Sequence, residues 1–278
     1  KQEQEQEQEN LARDPALNRA LPSVDWTPHP LIDRYPEFRR LTDEQYARLG
    51  REGGVDAATT YVAAREKRIA ESQRDPCNHE FPLPHWAELE TAVLRSLVTF
   101  VPGGNNPGKS RWAASFALRV LLRRVTWENI APDHRIKILM VAQDESASKL
   151  FQPAKLYEMM PATWRALNES QKKPPGFSRC INYSAKNGFT EGNFVLPKPL
   201  KGQCWFRTVA QYIREPQSFE GPDYDLVIVD EGCPLPLLKS LEGRVAKRGG
   251  KIIYLLTCIN GYDQALGKAL EGAKLVKA

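Results

Sequence analysis

The sequence predicts an α/β fold with a mainly parallel central sheet flanked by helices. Three observations carry that reading. Short apolar runs of strand type recur at 97–101, 136–142, 204–209, 225–231 and 251–257. Stretches with apolar residues at helical spacing separate them, among them 110–125, 145–160 and 234–247. The first strand-type run leads into a glycine-rich loop, "GGNNPGKS" (103–110), and that loop opens a helix. Parallel strands need crossovers of this kind, and helices on both faces allow the strands to be apolar throughout.

The elements follow in order along the chain. Residues 1–10 alternate Gln and Glu with no apolar face, which reads as a solvated tail. Residues 11–40 are rich in Pro and Arg, and prolines at 22, 28, 30 and 36 exclude a long helix. Segment 1–40 is therefore expected to be a tail plus an extended Pro-rich stretch, partly disordered. Thr42 and Gln45 stand at capping-box spacing and Gly50 offers a stop. "VDAATTYVAAREKRIAESQ" reads as a second helix, so 41–74 is expected to be a helical appendage. Residues 75–278 hold every strand-type run and form the expected main domain.

Composition sets limits. The chain of 278 residues is 41% hydrophobic and 26% charged, as an ordinary soluble globular protein is. No apolar run is long enough to span a bilayer, and the N-terminus lacks the apolar core of a signal peptide. No membrane partner is expected. Five scattered cysteines form no C-x-x-C pair, which fits reduced thiols rather than a zinc or disulfide framework. Cys77 and His79 lie close together without a second ligand pair. A formal charge of +5 permits a polyanionic partner without requiring one.

Two segments carry the chemistry. Gly103, four residues, then Gly108-Lys109-Ser110 is the spacing of a phosphate-binding loop. Glycines let the backbone wrap a triphosphate with its N–H groups inward. Gly103, Gly104, Asn105, Asn106, Pro107, Gly108, Lys109, Ser110 and Arg111 are thus expected to bind nucleotide. Lys109 would reach the β- and γ-phosphates and Ser110 would ligate Mg²⁺, making ATP and Mg²⁺ the expected ligands. The helix after the loop turns its positive dipole end to the phosphates. Pro107 lacks an N–H, so the cradle loses one donor there.

"DYDLVIVDEG" then places four apolar residues before Asp230-Glu231. A buried strand ending in an acidic pair is the Walker B arrangement. Asp230 would hold the Mg²⁺ hydration shell and Glu231 would polarise the attacking water. The plainer alternative is a strand end with solvated acids. Thr257 ends the last strand-type run, where a sheet of this type brings it beside the γ-phosphate. An ordinary strand-end Thr capping a turn explains it equally well by pattern alone. Lys109, Glu231 and Thr257 form the expected catalytic set. The class expected is a P-loop NTPase of the additional-strand, catalytic-glutamate type.

The chain resembles the ATPase domain of the large terminase subunit of tailed bacteriophages, the motor that packages genomic DNA into capsids. The resemblance runs from about Asp75 to Gly272. "DPCNHEFPLPHW" is similar to the family's leading segment and "GGNNPGKS" to its phosphate loop. "SFEGPDYDLVIVDEGCPLP" is similar to its F-x-G segment and Walker B, and "RGGKIIYLLTCINGYD" to its coupling motif. The resemblance implies that Thr257 and Asn260 link hydrolysis to DNA movement. It places Phe81, His85 and Trp86 where the adenine is contacted, and Trp86 could stack on the base. It implies double-stranded DNA as a sequence-independent partner, contacted mainly through phosphates. It further implies a small terminase subunit and a portal ring as partners, a homo-oligomeric ring on the capsid with the isolated chain open to being monomeric, and work in the host cytoplasm during virion assembly.

Departures qualify these roles. Asn106 stands where many members carry an Arg, so another arginine must supply that charge, in cis or from a neighbour. Arg111, Arg207, Arg214 and Arg244 are candidates. Cys258 stands where the family has Pro. The sequence ends soon after the coupling motif and leaves no room for the family's nuclease, so no nuclease activity is expected. Lys172, Lys173, Lys198 and Lys201 could face DNA or form a solvated face. The competing functions are another P-loop DNA translocase or helicase, a nucleotide-binding assembly scaffold with little hydrolysis, and a small-molecule kinase. A helicase would need a second sheet and a kinase a basic lid, and neither is visible in the sequence.

Overall fold

The computed structural model describes residues 69–79, 84–103, 108–131, 133–144, 152–170, 181–196, 200–219, 221–257 and 274–275, with scattered positions from 51 to 67. The chain divides into units 1–36 and 37–278, and every described residue belongs to the second. The expected tail, most of the helical appendage, and residues 104–107 of the phosphate loop lie outside the described residues.

The predicted α/β class with a mainly parallel sheet is what the structure has. Strand β1 (Val98–Gly103) leads to helix α3 (Lys109–Leu121), preceded by α1 (Pro76–His79) and α2 (Pro84–Arg95). Then come β2 (Lys137–Ala142), α4 (Gln152–Met159), α5 (Ala162–Glu169), the short strands β3 (Tyr183–Ser184), β4 (Gly188–Phe189) and β5 (Asn193–Val195), and β6 (Gln203–Thr208). Helix α6 (Val209–Arg214), β7 (Leu226–Asp230), α7 (Leu235–Ala246), β8 (Lys251–Thr257) and β9 (Lys274–Leu275) complete the order. Among the described residues, seven strands form one sheet in the order β5-β6-β2-β7-β8-β1-β9. All neighbours pair in parallel except β5, which runs antiparallel to β6.

Strand β8 lies between β1 and β7. That is the additional strand the sequence predicts, inserted between the strand that ends in the glycine-rich loop and the strand that ends at Asp230. Alternate side chains of each strand point to opposite faces, so the sheet feeds two cores. Val101, Ile138, Met140, Ile228, Ile253 and Leu255 pack under α3. Phe100, Leu139, Val141, Val227, Val229 and Tyr254 pack under α7, where Leu237, Leu238, Leu241 and Val245 meet them.

The two sheet edges differ in character. At the N-terminal edge, Asp225 is 1% exposed. It accepts from Arg248 Nε at 2.9 Å and from the Lys137 backbone N–H at 2.7 Å, with His134 Nε2 at 2.7 Å. This buried knot joins the starts of β2, β7 and β8. The C-terminal edge carries the residues expected to bind nucleotide, in the crevice where open parallel sheets hold ligands. Strand β6 ends at Thr208, one residue before its predicted end. Thr208 caps α6 instead: its hydroxyl accepts from Gln211 N at 2.9 Å, and Gln211 Oε1 accepts from Thr208 N at 3.0 Å.

Candidate nucleotide site

The strand register gathers the predicted residues at one edge. Gly103, the last residue of β1, pairs with Thr257 at the end of β8. Asp230, the last residue of β7, pairs with Leu255 on the other side of β8. The glycine-rich loop, the acidic pair and the strand that ends at Thr257 thus lie side by side.

Gly108 turns the chain from the loop into α3 with φ +77 and caps the helix by accepting from Trp112 N at 2.9 Å. Such a φ favours glycine. Space excludes other residues as well, because an added Cβ would lie 2.7 Å from Trp86 Cζ2. Trp86 belongs to the core and is 7% exposed. Its helix α2 is clamped to α3 through Glu90, which accepts from Trp112 Nε1 at 3.2 Å and pairs bidentately with Arg119. The turn that would cradle phosphate is therefore backed by a fixed indole.

Lys109 is buried, and its Nζ donates to Leu256 O at 2.9 Å. The lysine thus joins the start of α3 to the end of β8, one residue before Thr257. Ser110 hydrogen-bonds the Asp230 carboxylate. Burial pushes the Asp230 carboxyl above its usual range. The Ser110 hydrogen bond, the charges of Lys155 and Lys109, and a hydrogen bond from Gln152 pull it the other way.

Glu231 follows with φ +74, a left-handed conformation uncommon for a residue with a Cβ. Its N–H donates to Leu255 O at 2.8 Å, which continues the strand pairing while the side chain turns out to solvent. Strain of this sort clusters at functional sites. The neighbouring Gly232 lies against Gln143, whose Nε2 would be 3.2 Å from an added Cβ.

The remaining predicted residues divide. Gly104, Asn105, Asn106, Pro107, Phe81, Cys258, Asn260, Lys172, Lys173 and Lys198 lie outside the described residues. Among the candidate arginines, Arg111 is exposed and lies 4.0 Å from Glu158. Arg207 donates to Phe206 O at 3.1 Å, near the C-terminal end of β6. Arg214 is exposed in the last turn of α6. Arg244 donates to Gly221 O at 2.7 Å, ahead of β7 and at the opposite edge from Asp230. Arg244 therefore does not reach the site of its own chain. Lys201 is exposed beside the start of β6.

Sequence reasoning missed Gln143, Gln152 and Lys155. Gln143 directly follows the 136–142 run, so its place at the strand end was within reach. Gln152 and Lys155 sit in the helical stretch 145–160, and no local pattern distinguishes them from their neighbours.

These residues fit a magnesium–nucleotide ligand. The left-handed glycine has no room for a Cβ, a buried ammonium stands beside it, a Ser hydroxyl bonds an Asp carboxylate, and a buried amide oxygen of Gln152 lacks a partner among the described residues. Among the described residues, no three His, Cys, Asp or Glu side chains gather as a metal cage. Mg²⁺ at a triphosphate does not need one, because it keeps waters and phosphate oxygens as ligands.

No protein-family model and no curated protein matches the chain. Among solved structures, it is similar to a mutant of the large terminase ATPase domain of Thermus phage P74-26. The TM-score is 0.46 at 13% identity, covering 66% of this chain and 67% of that one. A second structure of that ATPase domain gives a TM-score of 0.43 at 14% identity, covering 63% and 65%. These structural neighbours are phage large terminase ATPase domains.

Proposed function

We propose that this chain is the ATPase motor domain of a phage large terminase, hydrolysing ATP to move double-stranded DNA into a procapsid. The observation that carries the proposal is the Lys109 Nζ–Leu256 O hydrogen bond between the start of α3 and the end of β8. It ties the phosphate-loop lysine to the end of the strand whose next residue, Thr257, opens the segment resembling the coupling motif.

In this reading Lys109 exchanges Leu256 O for phosphate oxygens when nucleotide binds. That exchange releases the end of β8 and gives the segment beyond it a way to sense occupancy. Ser110 and Asp230 hold Mg²⁺, which supplies positive charge to the triphosphate. The helix dipole of α3 adds to that charge. Glu231 stands at the strand end, turned out of the strand's alternation by its backbone, where it can take a proton from an attacking water. The missing loop arginine calls for a cation from elsewhere, and a neighbouring subunit in a ring supplies one. DNA is held through phosphates without sequence preference, so binding weakens steeply with salt. A small terminase subunit and a portal ring are the assembly partners, and the host cytoplasm during virion assembly is the setting.

Equilibrium binding of a non-hydrolysable ATP analogue tests the site. Wild type and Glu231→Gln bind the analogue, and Lys109→Ala binds at least tenfold more weakly, the loss of about one charge-assisted contact. Equal binding by Lys109→Ala would remove the phosphate-loop assignment. Binding without any turnover, alone or with DNA and partners, would favour a non-hydrolysing assembly scaffold.

A further inference from the structure

Gln152 opens α4 and is 3% exposed. Its Nε2 donates to Val141 O at 3.1 Å. Val141 pairs with Val229 on β7, so the amide sits at the sheet edge beside the next residue, Asp230. The Gln152 side chain also hydrogen-bonds the Asp230 carboxylate. Both of these partners are acceptors, so the nitrogen must face them and the oxygen must face away. That Oε1 atom is buried and has no hydrogen-bond partner among the described residues.

A buried acceptor without a donor is unfavourable, and native structures rarely leave one unless a ligand or water completes it. Among the described residues, Ser110 bonds Asp230 and Lys109 bonds Leu256 O, and no described donor bonds this oxygen, Lys155 included, although its charge acts on Asp230. The missing donor therefore arrives with something that enters the site. Asp230 is where the proposed function puts Mg²⁺, and the waters of that ion are strongly polarised donors that it gives up reluctantly. Groups that bond such waters orient the shell and tune affinity.

Resting on that reading of the site, we propose that Gln152 is a positioning residue whose Oε1 accepts a hydrogen bond from a water of the Mg²⁺ shell. One amide then serves two purposes. Its nitrogen fixes the Asp230 carboxylate against β2, and its oxygen holds the ion's water on the far side. Glu231 is not involved, because Gln152 bonds the preceding residue. The role concerns metal affinity rather than proton transfer.

The test is a titration of Mg²⁺ into the full chain at a fixed concentration of AMP-PNP, followed by calorimetry. Gln152→Met keeps the volume and removes both polar ends. It is expected to bind AMP-PNP in EDTA as wild type does, but to need about tenfold more Mg²⁺ for half-saturation. An unchanged Mg²⁺ midpoint in the folded variant would overturn the proposal and leave an ordinary structural water at Oε1. Should Gln152→Met fail to fold, Gln152→Asn keeps an amide but withdraws the oxygen by one methylene. It carries the same expectation and the same refutation. Asp230→Ala run alongside separates the two levels of the argument. If wild type and Asp230→Ala respond to Mg²⁺ alike, the site reading itself fails. If Asp230→Ala loses its response while Gln152→Met keeps a normal one, only the Gln152 role fails.

Discussion

Gly108→Ala probes how the phosphate loop is held. Two separate penalties fall on the new methyl group. The backbone at φ +77 disfavours any side chain by about 1–2 kcal/mol. The Cβ would also sit 2.7 Å from Trp86 Cζ2, closer than carbon atoms tolerate. Trp86 cannot swing clear, because it is buried at 7% exposure among core side chains. Overpacking of that kind costs about 1–3 kcal/mol. The single variant should therefore lose about 2–5 kcal/mol by urea unfolding followed by far-UV circular dichroism. Trp86→Phe removes the benzo ring that makes the clash and has its own cavity penalty. In the double variant the clash is absent but the φ penalty remains. A double-mutant cycle should thus return a coupling of about 1–3 kcal/mol, with the double variant more stable than the sum of the singles predicts. Additivity within about 0.5 kcal/mol would refute the claim that the indole backs the loop.

Other perturbations follow from the same geometry. Glu231→Gly relieves the left-handed backbone but frees the unfolded chain. Stability should therefore stay level or rise by up to about 1 kcal/mol while hydrolysis disappears, and a clear loss of stability would count against the strain. Asp225→Ala strands Arg248 and the Lys137 N–H at the opposite edge, so it should cost about 3–5 kcal/mol by urea unfolding, and a loss under about 1 kcal/mol would contradict the knot. Burial raises the Asp230 carboxyl, so the empty chain loses stability as pH rises from the free Asp value of 3.8 through the folded one. Mg²⁺-dependent nucleotide binding should conversely fall off on acidification at a pH above the ordinary Asp range. Lys155→Ala removes a charge that lowers this pKa, so its fall-off should begin at higher pH. Burial pushes the Cys77 thiol up to about 12, so alkylation of the folded protein near neutral pH should leave it unlabelled.

How much of this was legible in the sequence depends on the range of the forces involved. Strands β2, β7 and β8 were readable because both their faces are buried, as the fully buried Leu226, Val227, Ile228 and Val229 show. The left-handed turn at Gly108 and the place of Asp230 at the end of β7 were readable because a glycine at fixed spacing marks the one and an apolar run ending in an acid marks the other. Helix α2 was not predicted, although Trp86, Leu89 and Val93 share one buried face. Three apolar residues over two turns give a weak period. Strands β3, β4 and β5 span only two or three residues and have no period to detect. The end of β6 was overrun because the Thr208–Gln211 capping box lies inside an apolar run. The roles of Gln152 and Trp86 at the site depend on partners far away in the chain, Val141 with Asp230 and Gly108 respectively. No local pattern encodes such contacts.

Steady-state ATP hydrolysis by the chain, with and without double-stranded DNA and with Lys109→Ala and Glu231→Gln alongside, decides whether the chain is a motor domain. Wild type should show Mg²⁺-dependent turnover that DNA stimulates, and neither variant should show any. Turnover that survives both substitutions would contradict that reading.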